Sequence, residues 1–127
     1  MHVIVNTGTS EDKHAWVDLV SKGTGTRIKD TERSRYHKSV DMYWQKNAWV
    51  DRNVMLDLAR KFVREKVKHH GNEWVLLFAD NLAAHLKPEV KEIFGTHQVL
   101  VIYFPPGMTE MVQPIYAGYG RSLRCAI

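Results

Sequence analysis

The chain has 127 residues, 44% of them hydrophobic and 25% charged, which is the composition of one ordinary globular domain long enough to bury a core. Its net charge of +4 and isoelectric point near 9.3 permit nucleic acid as a partner without demanding it. One cysteine excludes an internal disulfide and a Cys-based zinc site, and no apolar run approaches the roughly 18 residues that a membrane-spanning helix requires.

The first part of the chain predicts short strands joined by polar turns. Residues 2–6 and 15–20 are short β-rich runs with a polar link between them, which predicts a hairpin. A glycine-containing turn follows at 22–27, and the dense charge of 29–38 predicts a solvated loop or a short helix. Residues 40–44 predict a further strand. Because the sequence opens inside a predicted strand, we expect it to be a fragment of a longer protein.

The clearest predicted helix follows Asp51, a suitable N-cap residue, and is ended by Gly71. Apolar residues recur along it at the spacing of one helical face. That face comprises Met55, Leu58, Ala59, Phe62, Val63 and Val67. The other face is basic and fits either simple solvation or contact with DNA phosphates. It comprises Arg60, Lys61, Arg64, Lys66 and Lys68.

The second part of the chain predicts two buried strands around a short helix. The apolar run 74–79 predicts a central strand covered on both faces. A helix is expected over 88–94 with Pro88 in its first turn, and another buried strand over 98–104. The tail 111–127 contains no acid and has some helical character. The whole chain, 1–127, is therefore expected to be a single mixed α/β domain.

Asp80 follows the predicted central strand directly. The carboxyl ends of such strands are where open α/β sheets place their chemistry. With Asn81 and His85 close behind it, Asp80 fits a magnesium-binding or general-base position. The alternative is structural, because an Asp at a strand end also caps the next turn through its side-chain oxygens.

Several motifs in chain order resemble one family. They are Lys22-Gly23-x-Gly25-x-Arg27-Ile28, Gln45-x-Asn47-Ala48-Trp49-Val50, Leu76-Leu77-Phe78-Ala79-Asp80-Asn81-x₃-His85, Pro105-Pro106-x-Met108-Thr109, Gln113-Pro114 and Gly118-x-x-Arg121. Together they resemble the DDE superfamily endonuclease domain of pogo/Tigger-type transposases and of host proteins derived from them, such as centromere protein B and jerky relatives. The resemblance spans nearly the whole chain.

This resemblance implies an RNase H-like mixed sheet flanked by helices. It also implies phosphoryl transfer on DNA, with three acids holding two Mg²⁺ (or Mn²⁺) ions. Asp80 matches the second acid, supported by Asn81, His85 and Gln113. The position of the third acid is Tyr116, and a neutral phenol of pKa about 10 is a poor Mg²⁺ ligand.

The family's first acid normally lies on a strand upstream of residue 1, so we expect that strand to be missing here. Asp18 does not replace this acid, because it falls in a strand where the family carries none. Glu110, in the family's variable stretch, is a weak substitute for the third acid.

Three hypotheses follow. The first is a transposase-derived domain that has lost catalysis and binds nucleic acid, mainly through phosphate contacts. Those contacts are expected from Arg60, Lys61, Arg64, Lys68, Arg121 and Arg124. The second is an active Mg²⁺-dependent nuclease completed by a longer chain or a second subunit. The third is an assembly module that forms a homodimer or a larger complex through an exposed sheet edge. The single cysteine favours an intracellular location, and descent from a DNA-handling protein implies the nucleus.

Overall fold

The computed structural model describes residues 2–4, 16–24, 30–37 and 40–107. Its elements in chain order are β1 (His2–Ile4), β2 (Trp16–Lys22), α1 (Asp30–Arg33), β3 (Val40–Gln45), α2 (Arg52–His70), β4 (Val75–Ala79), α3 (Pro88–Thr96) and β5 (Val99–Tyr103). They form two compact units, residues 1–54 and 55–127. The mixed α/β class predicted from the sequence is confirmed and is consistent with the RNase H-like fold that the resemblance implies.

The first unit contains a three-stranded sheet in the order β1-β2-β3. The predicted pairing of the first two strands is confirmed, since β1 runs antiparallel to β2. Strand β3 runs parallel to β2 and places Asp41 in register with Asp18, which is buried. Gly23 lies just past β2, where its amide donates to the Gln45 carbonyl at 3.1 Å. A side chain at Gly23 would collide with Trp44, which explains why glycine stands there.

The Gln45-x-Asn47-Ala48-Trp49 motif forms the turn after β3. The side-chain oxygen of Gln45 accepts the amide N–H groups of Asn47 at 2.6 Å and Trp49 at 3.1 Å. Ala48 takes a left-handed conformation with φ of 57°. The turn leads to Asp51, whose Oδ1 accepts the N–H groups of Asn53 and Val54, both at 3.0 Å. The predicted N-cap is therefore confirmed.

The second unit contains the parallel pair β4-β5 with α3 as the connection between its strands. Pro88 stands at the start of α3, as predicted. The unit buries one face of α2 and the inner face of α3. The rings of Phe62 and Phe94 meet edge to face, with centroids 5.7 Å apart. The buried apolar residues here are Met55, Leu58, Ala59, Phe62, Val63, Ala84, Val90, Phe94 and Val99.

The predicted basic face of α2 includes one residue, Lys66, that is in fact buried. Lys66 is only 3% exposed, and its Nζ donates to the carbonyl oxygen of Gly71 at 2.9 Å. Val67, assigned to the apolar face, is 46% exposed. The reason is helical geometry, because a period of 3.6 residues puts position 66 in line with Phe62 and Val63. The buried ammonium satisfies a carbonyl group beyond the end of the helix.

The prediction that β4 is covered on both faces is also wrong. Leu76 and Phe78 are 50% and 55% exposed, and their partners across the pair, Leu100 and Ile102, are 55% and 41% exposed. Successive side chains of a strand point to opposite faces, so one face of β4-β5 packs inward and the other is open. In the described part of the chain, β5 is the one strand that pairs with β4.

None of the helices in the described ranges combines the length and the apolar character of a membrane span.

Candidate functional site

Asp80 lies where β4 ends. The carbonyl of Ala79, the last residue of β4, accepts the amide N–H of Phe104 at 2.9 Å, so both strands leave the sheet at the same edge. The Asp80 side chain is 40% exposed there. The structure thus brings the candidate acid to the carboxyl end of a parallel strand, the position at which α/β sheets bind ligands.

His85 contacts Asp80 directly. Its Nδ1 lies 2.7 Å from Oδ1 of the Asp80 carboxylate and 3.2 Å from the Asp80 backbone oxygen. The ring is almost completely buried, and the turn that carries it is closed by the His85 amide, which donates to the Leu82 carbonyl at 2.8 Å. The sequence predicted that these residues would be close, and the turn explains how a spacing of five residues achieves it.

Asp80 also makes the structural contact that was the alternative interpretation. Its Oδ1 accepts the amide N–H of Leu82 at 3.3 Å, as in an Asx turn. Asn81 fixes the same loop from its other side, because its side-chain amide donates to the backbone oxygen of Phe104. The loop that carries Asp80 is therefore held by its own side chains and by the segment after β5.

Tyr103, the last residue of β5, is a site residue that the sequence analysis missed. Its hydroxyl donates to the backbone oxygen of His85 at 3.0 Å. Burial raises the pKa of Tyr103 above its usual value of 10, so the phenol remains a donor at neutral pH. The Nζ of Lys91 lies 5.6 Å from the ring centroid, within cation–π range. The available signal was the alternation of β5, which places Tyr103 on the same face as buried Val99.

The donors at this site suit a hard divalent cation. Carboxylate and amide oxygens are the ligands that Mg²⁺ and Mn²⁺ prefer, and Mg²⁺ is commonly held by one or two carboxylates together with water and substrate phosphates. Asp80 supplies one such carboxylate. No group of three or more His, Cys, Asp or Glu side chains in the described ranges could enclose a metal. The described donors therefore fit one ligand position for such an ion.

The basic residues proposed on α2 share one surface. At about 100° per residue, Arg60, Arg64, Lys68 and Lys61 fall within an arc of about 100°. Arg64 and Lys68 are exposed, and Arg60 is exposed beside Asp57, with its Nη1 3.3 Å from Oδ1. The Nζ of Lys68 lies 3.8 Å from a carboxylate oxygen of Glu65. Acids thus offset part of the positive charge of this surface, and within the described residues no ion pair involves the exposed Arg64.

Four of the predicted site residues lie outside the described residues. They are Gln113, Tyr116, Arg121 and Arg124. Glu110 and the predicted tail 111–127 lie outside them as well.

A mixed α/β domain with an acid at the carboxyl end of a parallel strand has its candidate site where α/β sheets bind their ligands. A family model described as DDE superfamily endonuclease matches residues 5–124. The chain therefore belongs to the DDE superfamily of endonucleases, whose members bind DNA and typically use a divalent metal ion. Neither the curated proteins nor the solved structures give a match.

Proposed function

We propose that the chain is a pogo/Tigger-type, transposase-derived DDE domain that binds nucleic acid and does not cleave it. The observation that supports the proposal is that Asp80, which the resemblance matches to the family's second acid, lies at the end of β4. Tyr116 takes the third acid's position. Loss of a metal-binding carboxylate removes several kcal/mol of transition-state stabilisation, so Asp80 alone supports no two-metal reaction.

Nucleic-acid binding in this proposal is electrostatic and independent of base sequence. The exposed cations of α2 provide a surface for phosphate contacts, and each phosphate that is neutralised releases condensed counterions. Arg121 and Arg124 would extend the contacts. A domain of this descent that binds DNA belongs in the nucleus.

The test measures cleavage and binding separately. Plasmid nicking with Mg²⁺ or Mn²⁺ should be absent from the wild-type chain. Nicking that disappears in Asp80→Ala would contradict this and establish the alternative, an active nuclease completed by a longer chain or a second subunit.

Binding to a random DNA duplex should weaken with salt. In Arg64→Ala, the slope of log K against log salt should fall by about one unit. Lys46→Ala, which removes an exposed cation outside α2, is the matched control and should keep the slope. Binding that does not respond to salt would remove the nucleic-acid part of the proposal.

A second candidate function is assembly, and the exposed face of β4-β5 favours it. Leu76, Phe78, Leu100 and Ile102 form an open apolar surface, and within the described residues β4 pairs with β5 alone. Such surfaces and edges are common at contacts between chains. Self-association through this face should give a mass by light scattering that rises with concentration in the wild type and not in Phe78→Glu. Val67→Glu, which changes an exposed apolar residue of α2, is the control.

A further inference from the structure

The carboxylate of Asp80 is held at one of its two oxygens. Both groups that contact the carboxylate meet Oδ1: Nδ1 of His85 lies 2.7 Å from it, and the amide of Leu82 donates a hydrogen bond to it at 3.3 Å. Within the described residues, no hydrogen bond or ion pair involves Oδ2. Because the side chain is 40% exposed, Oδ2 is the oxygen available to a ligand from outside.

His85 is itself fixed in place. Its amide donates to the Leu82 carbonyl at 2.8 Å, and its own carbonyl accepts the Tyr103 hydroxyl at 3.0 Å. The ring is buried, so it cannot swing into solvent without opening the turn. Nδ1 faces two acceptors on Asp80, the carboxylate and the backbone oxygen, which favours a hydrogen on that nitrogen.

We propose that His85 is a positioning residue that holds Oδ1 of Asp80 and thereby presents Oδ2 as the oxygen for a divalent cation of the Mg²⁺ type. This inference rests on the assignment of Asp80 as a metal-binding acid in the proposed function. A fixed side chain in close contact with one oxygen restricts the torsion of a ligating carboxylate before the ion arrives, and removal of such supporting partners typically weakens metal binding about 10- to 100-fold.

The test is a Mn²⁺ titration of the full chain at one pH, followed by paramagnetic broadening of its backbone amide signals. Broadening should centre on residues 79–82 and disappear in Asp80→Ala. In His85→Ala the affinity should fall about 10- to 100-fold. His85→Asn places an amide N–H where Nδ1 stood and should restore part of the affinity.

His97→Ala is the matched control. Like His85, His97 has an Nδ1 that meets a backbone oxygen, that of Ile93 at 2.8 Å; it is half-buried, and none of its hydrogen bonds within the described residues involves Asp80. Its removal should leave Mn²⁺ binding unchanged.

A second readout separates positioning from a merely structural role. The infrared splitting between the two carboxylate stretches is larger when one oxygen binds the ion than when both do. The wild type should show the large splitting, and His85→Ala should shift toward the small one. A purely structural histidine would lower the melting temperature and leave the splitting and affinity of the folded protein unchanged.

The outcomes distinguish the inference from the function on which it rests. Binding that needs Asp80 and is unchanged in both His85 variants overturns the positioning role alone. Broadening that is absent from residues 79–82, or unaffected by Asp80→Ala, overturns the metal role of Asp80 and the inference with it. Nucleic-acid binding by α2 is decided independently by the salt slope of Arg64→Ala.

Discussion

The hydroxyl of Tyr103 donates a hydrogen bond of 3.0 Å to the backbone oxygen of His85 and so joins the end of β5 to the loop after β4. The register of the parallel pair makes this possible, because Tyr103 lies opposite Ala79, the residue before Asp80. The loop that carries the candidate acid is thus fixed by a strand neighbour 18 residues from His85 along the chain. This hydrogen bond helps to fix the backbone at His85 and with it the orientation of the His85 side chain.

Tyr103→Phe should destabilise the protein by about 1 kcal/mol, since it removes one hydrogen bond and leaves the ring packing in place. The free energy of unfolding from urea denaturation measures the effect. Tyr36→Phe, outside this loop, is the control and should change it by less than about 0.5 kcal/mol. An equal loss in both variants would show that the Tyr103 hydrogen bond contributes nothing specific.

Stability should depend on Tyr103 at alkaline pH. Burial raises the pKa of this phenol in the folded state above its unfolded value of about 10. Its contribution is therefore fully present below pH 10 and is lost as the pH rises through the folded pKa. We expect the stability of the wild type to fall more steeply above pH 10 than that of Tyr103→Phe. Parallel curves for the two proteins would contradict the raised pKa.

The strands and helices could be predicted from the sequence because each carries a local signal. The apolar period after Asp51, the glycine at 71 and the run before Asp80 mark elements that the structure shows within a few residues. What covers each element has no local signal. The run at 74–79 looks the same whether one or both of its faces are covered, so the exposure of Leu76 and Phe78 could be learned only from the fold.

The part of the candidate site that the sequence predicted is the part that has a local signal. Asp80, Asn81 and His85 are close in sequence, so a turn brings them together. Tyr103 reaches the site through strand register, and Lys66 is buried because of its angle on α2. The angle of Lys66 follows from the 3.6-residue period and could have been read from the sequence, whereas the strand that pairs with β4 could not.

The N-cap of α2 offers a prediction with an internal control. Asp51→Ala removes the acceptor of two N–H groups and should cost about 1 kcal/mol of unfolding free energy. Asp51→Asn keeps a side-chain oxygen at the same place and should retain most of the stability that the cap provides. Asp57→Ala, which breaks an exposed ion pair with Arg60, should cost less than about 0.5 kcal/mol. A loss in Asp51→Asn as large as in Asp51→Ala would mean that charge, and not the cap, is what matters.

Substitution of alanine for glycine should lower the stability of the protein at one position and raise it at another. Gly71 has φ of 52°, and Gly95 lies within α3 without a left-handed φ; a Cβ would meet no atom within 4 Å at either position. Because an added Cβ meets no steric conflict, the backbone conformation decides whether each substitution stabilises or destabilises the protein. Gly71→Ala should destabilise by about 1 kcal/mol, because a left-handed conformation is unfavourable for alanine. Gly95→Ala should stabilise by about 0.5 to 1 kcal/mol, because alanine loses less backbone entropy in a helix. Thermal unfolding of the two variants beside the wild type measures both effects, and a shift of the melting temperature in the same direction would contradict the argument from backbone conformation.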